Sequence, residues 1–353
     1  MRPAVLALPV VVALLLASCT HGDDEARPSP SAPTAGTTTT AEPSAPSAPS
    51  APPTAAATAV ATPPTTAAPT AGTAPSAPAA RPTAAPAPGP APAPAPDPAP
   101  APEITLPPTS GVFDYQLGGT SPTVRVGGTT RAIDVVARDA TATPLSGSYN
   151  ICYVNGFQTQ PGDASMWRKH QDLLLHDKHG DLVVDPDWPD EYVLDPSTAA
   201  QRAGILAILG PVVTGCARHG FDAVEIDNLD TWTRFTAIDK AGAHALAAAY
   251  VDLAHASGLA IAQKNAAEIS RFAHDRLGFD FAVTESCAAW DECAAYTDVY
   301  GTHVLQIEYP EALDDADLTF AQVCGLPDRA PLTILRDRDL VPPGKPGHRY
   351  SAC

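Results

Sequence analysis

Eight short apolar runs divide the C-terminal part of this chain: Val112–Leu117, Ala132–Ala137, Ser148–Asn155, Phe221–Asp227, Gly258–Lys264, Phe279–Glu285, His303–Tyr309 and Leu332–Asp337. Each has the length of a strand and is rich in Val, Ile, Ala or Phe. Between most of them lie helix-like stretches, Thr198–His219, Ala237–Ser257, Ala266–Leu277 and a looser region around Phe320. Strands that alternate with helices bury both faces of a parallel sheet, so the pattern predicts βα units. Eight such units in roughly 240 residues fit an α/β fold of the (β/α)8 TIM-barrel type better than an open doubly wound sheet. The first units are short of helix, and Gly156–Asp195 reads as a long polar loop or hairpin over the barrel mouth.

The runs end in charged and aromatic residues, and in such a barrel the strand ends form the site. In Val224-Glu225-Ile226-Asp227 the two carboxylates share one face of a strand and the apolar residues share the other. Phe279–Glu285 repeats the design and also exits on a carboxylate. Two acids at the exits of buried strands are the equipment of glycosidic cleavage, one giving a proton and one attacking or activating water. Asp227 and Glu285 are therefore the candidate catalytic pair, with Glu225 one inward step deeper as a supporting group. Lys264 ends the intervening strand, where a cation would keep Asp227 ionised. A more desolvated position would suit Glu285 as the acid. Asp114, Asn228 and Glu308 are candidates for polar contacts to a sugar, and Tyr115, Tyr153, Trp188, Trp232 and Tyr309 for stacking on its rings. The loop Asp185–Glu191 sets an acidic, Pro-stiffened segment around Trp188. The run His170, His176, Asp177, His179, Asp181 has no helical pair of histidines with a carboxylate in register, so no metal and no cofactor are expected.

The N-terminus sets the location. A single Arg, the apolar run Val5–Leu16 and the tetrapeptide Leu16-Ala17-Ser18-Cys19 read as a secretory signal, residues 1–18, ending at a lipobox-like site. Lipidation of Cys19 would anchor the protein at the outer face of the membrane; a plain secretion signal with an incidental cysteine is the simpler alternative. Residues 19–108 are mostly Pro, Ala, Thr and Ser and lack the large side chains needed to offset ordering entropy, so a disordered tether is expected there. Residues 109–353 then form one catalytic-sized domain. The formal net charge of −18 disfavours nucleic acid and fits a cationic partner, although an acidic surface also serves solubility. Besides Cys19 the chain has Cys152, Cys216, Cys287, Cys293, Cys324 and Cys353, an even set that suggests three disulfides in an exported protein. Proximity favours Cys287 with Cys293, Cys324 with Cys353 and, by remainder, Cys152 with Cys216, among all the pairings open to six cysteines.

Seven blocks carry a family resemblance: FDYQLGG (Phe113–Gly119), YNICYVNGFQTQPG (Tyr149–Gly162), WPDEYVLD (Trp188–Asp195), GFDAVEIDNLD (Gly220–Asp230), QKNAAE (Gln263–Glu268), FDFAVTESC (Phe279–Cys287) and IEY (Ile307–Tyr309). In this order they resemble the endo-α-1,4-polygalactosaminidases, glycoside hydrolase family 114. The resemblance implies a (β/α)8 barrel that hydrolyses α-1,4-linked galactosamine-containing polymers without metal or cofactor. It also puts the catalytic pair on Asp227 and Glu285. Ile226 stands where the family often has Pro, and it faces away from the cleft. By analogy with α-galactosidase barrels, Asp227 would be the nucleophile and Glu285 the acid/base of a retaining mechanism; the roles could be exchanged. The expected protein is a lipid-anchored extracellular monomer acting on a cationic polysaccharide. Its rivals are a non-catalytic glycan-binding lipoprotein on the same barrel, and a glycosidase or transglycosylase for another α-linked exopolysaccharide.

Overall fold

A computed structural model describes residues 103–353. The expected signal peptide, Cys19 and the expected tether up to residue 102 lie outside the described residues. The strands are β1 (Phe113–Gln116), β2 (Thr123–Val126), β3 (Thr129–Ala132), β4 (Val135–Asp139), β5 (Tyr149–Asn155), β6 (Ala223–Asp227), β7 (Ala260–Lys264), β8 (Phe281–Glu285), β9 (Val304–Glu308), β10 (Leu332–Arg336) and β11 (Tyr350–Ala352). All eight predicted strands are present, seven with ends trimmed by up to two residues and the second displaced to Val135–Asp139, because Ala132 ends β3. Nine strands make one sheet in the order β1-β4-β5-β6-β7-β8-β9-β10-β11, parallel except for β11, and β2 and β3 form a separate hairpin.

Alternation along the strands divides the core into two layers. Phe113, Val135, Ile151, Ala223, Ala262, Phe281, Val283, Leu305 and Ile334 pack together as the lumen of a curled sheet. Alanines from β6 and β7 leave room there for the rings of β1, β5 and β8. The opposite face, with Val224, Ile226, Ile261 and Val304, packs on helices through Ile205, Val213, Leu246 and Tyr250. Gly156 sits where this layer is tightest: an added Cβ would stand 2.3 Å from the Ile226 side chain.

Helices fill the later connections and are scarce in the early ones, as the sequence predicts. Helix Ala199–His219 begins with a capping box between Thr198 and Gln201 and stops at Gly220, whose φ of 91° is left-handed. Helix Lys240–Ala256 starts on Asp239, whose carboxylate caps Gly242. Ala267–Leu277 is a broken helix of three short turns rather than one rod. The disulfides pair Cys152 with Cys216, Cys287 with Cys293 and Cys324 with Cys353. The first ties β5 to helix Ala199–His219 and the last ties the chain terminus to the folded body.

Three features differ from the sequence reading. β1 and β10 do not share a ladder, so side chains close the barrel at that seam. Arg336 pairs with Asp114 at 2.6 Å and also donates to the Tyr115 carbonyl, while the Tyr350 hydroxyl donates to the Phe113 carbonyl at 2.6 Å. The segment before residue 109 is not all tether. Ile104 packs on the lumen cluster, and the Thr105 carbonyl accepts from Tyr149 at 2.7 Å. The Gly156–Asp195 excursion is no simple polar loop either: Trp167, Leu174 and Val193 are buried in the main core, and isolated antiparallel bridges join Leu174 to Leu194 and Val184 to Tyr192. At its tip Asp177 accepts from the His179 and Asp181 amides, which makes the His/Asp run a turn.

Candidate active site

Three neighbouring strands, β6, β7 and β8, end on Asp227, Lys264 and Glu285. Each shares its inward face with lumen residues two and four positions earlier, Ala223, Ala262 with Ala260, and Val283 with Phe281. The residue after each is left-handed: Asn228 at φ 62°, Asn265 at φ 51° and Ser286 at φ 57°. Asn tolerates that conformation through local hydrogen bonds, whereas Ser286 pays about 1–2 kcal/mol for it. The abrupt exit ends the strand and keeps the charged group at its rim. It also points backbone and side chains back at the carboxylates. The Asn228 amide donates to Asp227 Oδ1 at 2.8 Å, and Asn265 exchanges two bonds with Glu285, at 2.8 and 3.2 Å.

Lys264 Nζ lies 3.1 Å from Asp227 Oδ1, 2.8 Å from Glu285 Oε2 and 3.8 Å from Glu225 Oε1. One ammonium touching both Asp227 and Glu285 holds those two oxygens within about 6 Å of each other, the two contacts laid end to end, which is close enough to flank one glycosidic bond. Each carboxylate also has its own tyrosine. Tyr153 donates to Asp227 at 2.6 Å, Tyr309 to Glu285 at 2.5 Å and Tyr115 to Glu225 at 2.6 Å. Burial, reinforced by the facing carboxylates, pushes all three phenols far above their usual range, so each remains a donor.

The three acids are not equivalent. Burial raises the Asp227 carboxyl, but Lys264, the Tyr153 hydroxyl and the Asn228 amide outweigh it and hold the group below its ordinary value. Glu225 is fully buried, and desolvation pushes it to about 8 against the opposing pull of Lys264. Its Oε2 has no hydrogen-bond partner, which is tolerable for a neutral acid and costly for an anion. Glu285 is 26 % exposed and touches an ammonium, so it does not occupy the dry niche suggested by its sequence neighbours. Burial lowers the affinity of Lys264 for its proton, yet its three carboxylates more than restore it, and the lysine is charged.

These groups line a cleft of about 760 Å³, a common size for a ligand site. Tyr115, Tyr153, Trp188, Asn228 and Tyr309 line it as well, so the structure brings together most of the residues singled out from sequence. Asp114, Glu308 and Trp232 are not in its lining. Asp114 is sealed against Arg336 at the barrel seam. Glu308 has the opposite strand parity from Ile307 and Tyr309, points to the helix layer, and accepts from the Ala288 amide and Gln306. Trp232 packs edge-on against His244 beneath Lys240.

Several lining residues escaped the sequence reading. Glu191, at the end of the acidic loop, faces the cleft and binds Asn155 at 2.8 Å; desolvation, helped by the charge of Asp227, raises it to about 7. Arg234 links that loop to the site by pairing with Asp185 and donating to Asn228 at 2.7 Å. Trp290 and Arg338 also line the cleft, and Arg338 lies over the Trp188 ring. A Trp between two nearby cysteines was a visible signal for Trp290, and Glu191 belongs to the acidic loop already noted; nothing local marks Arg234 or Arg338. Asp139, Asp230, Glu311 and Asp339 add to the acidic lining, which has only Lys264, Arg234 and Arg338 as cations.

A family model for glycoside-hydrolase family GH114 matches residues 93–353. No curated protein sequence matches the chain. Among solved structures, the chain is similar to Aspergillus fumigatus Ega3 in complex with galactosamine, with a TM-score of 0.53 and 21 % identity, covering 71 % of this chain and 98 % of that one. It is also similar to the glycoside hydrolase domain of PelA from Pseudomonas aeruginosa, with a TM-score of 0.45 and 15 % identity over 68 % and 97 % of the two chains. At 21 % identity the Aspergillus structure speaks for the barrel fold. The match of the family model spans the whole described body, including every strand of the barrel and both carboxylates on Lys264. The chain belongs to glycoside-hydrolase family GH114, and it is a glycoside hydrolase.

Proposed function

We propose that this protein is an extracellular, lipid-anchored endo-hydrolase of α-1,4-linked galactosamine-containing polysaccharide, working with retention through Asp227 and Glu285. The observation that carries the reading is the single Lys264 ammonium shared by both carboxylates. The two oxygens that Lys264 holds lie within about 6 Å of each other, shorter than the about 6.5–9.5 Å of inverting pairs, which favours retention. Asp227, held ionised, attacks the anomeric carbon. Glu285 gives its proton to the leaving oxygen. Lys264 and Asn265 occupy Oε2, so the proton is carried on Oε1, which also accepts from the Tyr309 hydroxyl. Water then opens the glycosyl ester while Glu285 takes back a proton.

Lys264 fits both halves of this cycle. As Asp227 loses its charge to the ester, Glu285 acquires one, so the ammonium always faces one carboxylate and one neutral group. Glu225, kept protonated by burial, does not disturb that balance. The family and the galactosamine bound by the similar Ega3 structure support the substrate class. The acidic lining complements the ammonium of a deacetylated galactosamine unit.

Incubation with a partially deacetylated galactosamine-containing polymer should release oligosaccharides, and NMR of the first product should show the α-anomer. Asp227→Asn and Glu285→Gln should each abolish release while polymer binding persists. Near-native rates in both variants would remove the assigned roles, and a β-anomeric first product would remove retention. Anchoring is checked separately: a clickable fatty-acid analogue should label the wild type and not Cys19→Ser.

A further inference from the structure

Trp290 is the most exposed large apolar side chain among the described residues, at 68 %, and it lines the cleft beside Glu285. An indole left in water forgoes burial of about 150–250 Å², so the structure that holds it there is informative. Its loop is a rigid mount. The chain leaves β8 through left-handed Ser286, and the disulfide Cys287–Cys293 closes the loop. Inside it the Trp290 amide donates to the Ser286 carbonyl at 3.1 Å, and the Glu292 amide to the Cys287 carbonyl at 2.8 Å. Asp291 supplies a second left-handed turn at φ 56°. From below, buried Glu308 accepts from the Ala288 amide at 3.0 Å and is itself held by Gln306 at 2.7 Å. A loop tip with no task beyond connection needs none of these restraints.

We propose that Trp290 is a sugar-binding platform for the polymer, stacking on a pyranose ring one or more units from the bond held between Asp227 and Glu285. This rests on the reading of the cleft as that of a polysaccharide hydrolase. A galacto-configured ring carries its axial hydroxyl on one face and C–H bonds on the other, and the C–H face suits an indole. An amino group near the ring edge adds a cation–π attraction. Placement supports the same occupant. Trp188 rises from the excursion after β5 and Trp290 from the loop after β8, with β6 and β7 between them. Both tryptophans line the same cleft as the two carboxylates, so one bound chain can meet all four groups. The buried carboxylate of Glu308, though it touches no sugar, is the footing of this platform.

Trp290→Ala and Trp290→Phe, made in the full chain, should be compared on the polymer and on the shortest oligosaccharide that the wild type cleaves. Trp290→Ala should raise KM for the polymer about tenfold, the equivalent of losing one good stacking contact. Its kcat should stay within about twofold of the wild type, the shortest substrate should be unaffected, and Trp290→Phe should recover most of the loss. An unchanged polymer KM overturns the platform. An equal loss on both substrates overturns it too, because the disturbance has then reached Glu285. If the wild type cleaves the polymer and Trp290→Ala matches it, the platform alone is lost. If the wild type neither binds nor cleaves it, the functional reading fails and takes the platform with it.

Discussion

Two buried clusters of charge stand at strand ends of this barrel. At the seam, Arg336 meets Asp114 with both side chains 1 % exposed. Every contact there has a structural partner: Asp114 accepts from the Tyr115 amide and from Gln116, and Arg336 donates to the carbonyls of Arg349 and Val341. At the mouth, Lys264 is 2 % exposed, but the carboxylates it holds, Asp227 and Glu285, are 16 % and 26 % exposed. One cation there is shared by three acids, of which buried Glu225 keeps its proton, and the other two open into a cleft. Ionisable residues at a strand exit are therefore no sign of catalysis by themselves. The sign is several acids sharing one cation, together with access. The seam pair replaces a missing ladder; the mouth cluster holds protons and charge that can move.

This contrast is sharpest under mutation. Glu285→Gln and Asp227→Asn should lower turnover by about a thousandfold or more, with stability nearly unchanged in Glu285→Gln and only modestly lowered in Asp227→Asn, which gives up its ionised contact with Lys264. Arg336→Ala should do the reverse. It leaves a buried acid unpaired, and unfolding by denaturant should show about 3–5 kcal/mol of lost stability. A double change, Asp114→Asn with Arg336→Met, should recover much of that loss. If Arg336→Ala instead spares stability and abolishes activity, the division between seam and mouth is wrong.

Lys264→Met should fall between these extremes, with turnover reduced about tenfold to a hundredfold. Asp227 is depressed mainly by this ammonium, so the acid limb of kcat/KM should move to higher pH in the variant. The same depression means that ionised Asp227 contributes stability above the ordinary carboxyl range, which is lost as pH falls through its lowered value. Glu225 has the opposite sign. Raised to about 8, it keeps a proton that the unfolded chain releases near pH 4.5, so stability should fall as pH rises across that window. Glu225→Gln should have the smallest effect of the set: thermal unfolding little changed near pH 5, and a higher melting temperature than the wild type near pH 8. A wild-type stability that is flat across this range would show that Glu225 is ionised throughout.

Much of the site was legible in sequence because a strand writes its geometry with a period of two. Asp227 shares a face with Ala223, and the same parity assigns Lys264, Glu285 and Tyr153 to the lumen. That parity also argued against Glu308, which alternates with Ile307 and Tyr309, and position at a strand end alone was a poor guide to it. Asp114 fails by the same parity, since it alternates with Phe113 and Tyr115, but its partner Arg336, 222 residues away, could not be read locally. Trp232 was indistinguishable from Trp188 in sequence, since whether a ring stacks on sugar or on His244 depends on where a neighbouring helix packs.

Alternating apolar runs, exits on carboxylates and a compositional break near the start of the domain were determined by the sequence by itself, because they are local consequences of chain geometry and of what a segment can bury. The meeting of Asp227, Glu225 and Glu285 on one ammonium was decided only by the tertiary structure. So were the closing of the seam by Arg336 and the mounting of Trp290 on a footing of Glu308. In each case the energy comes from desolvated charge or hydrogen bonding between distant segments, and burial and distance exist only once the chain has folded.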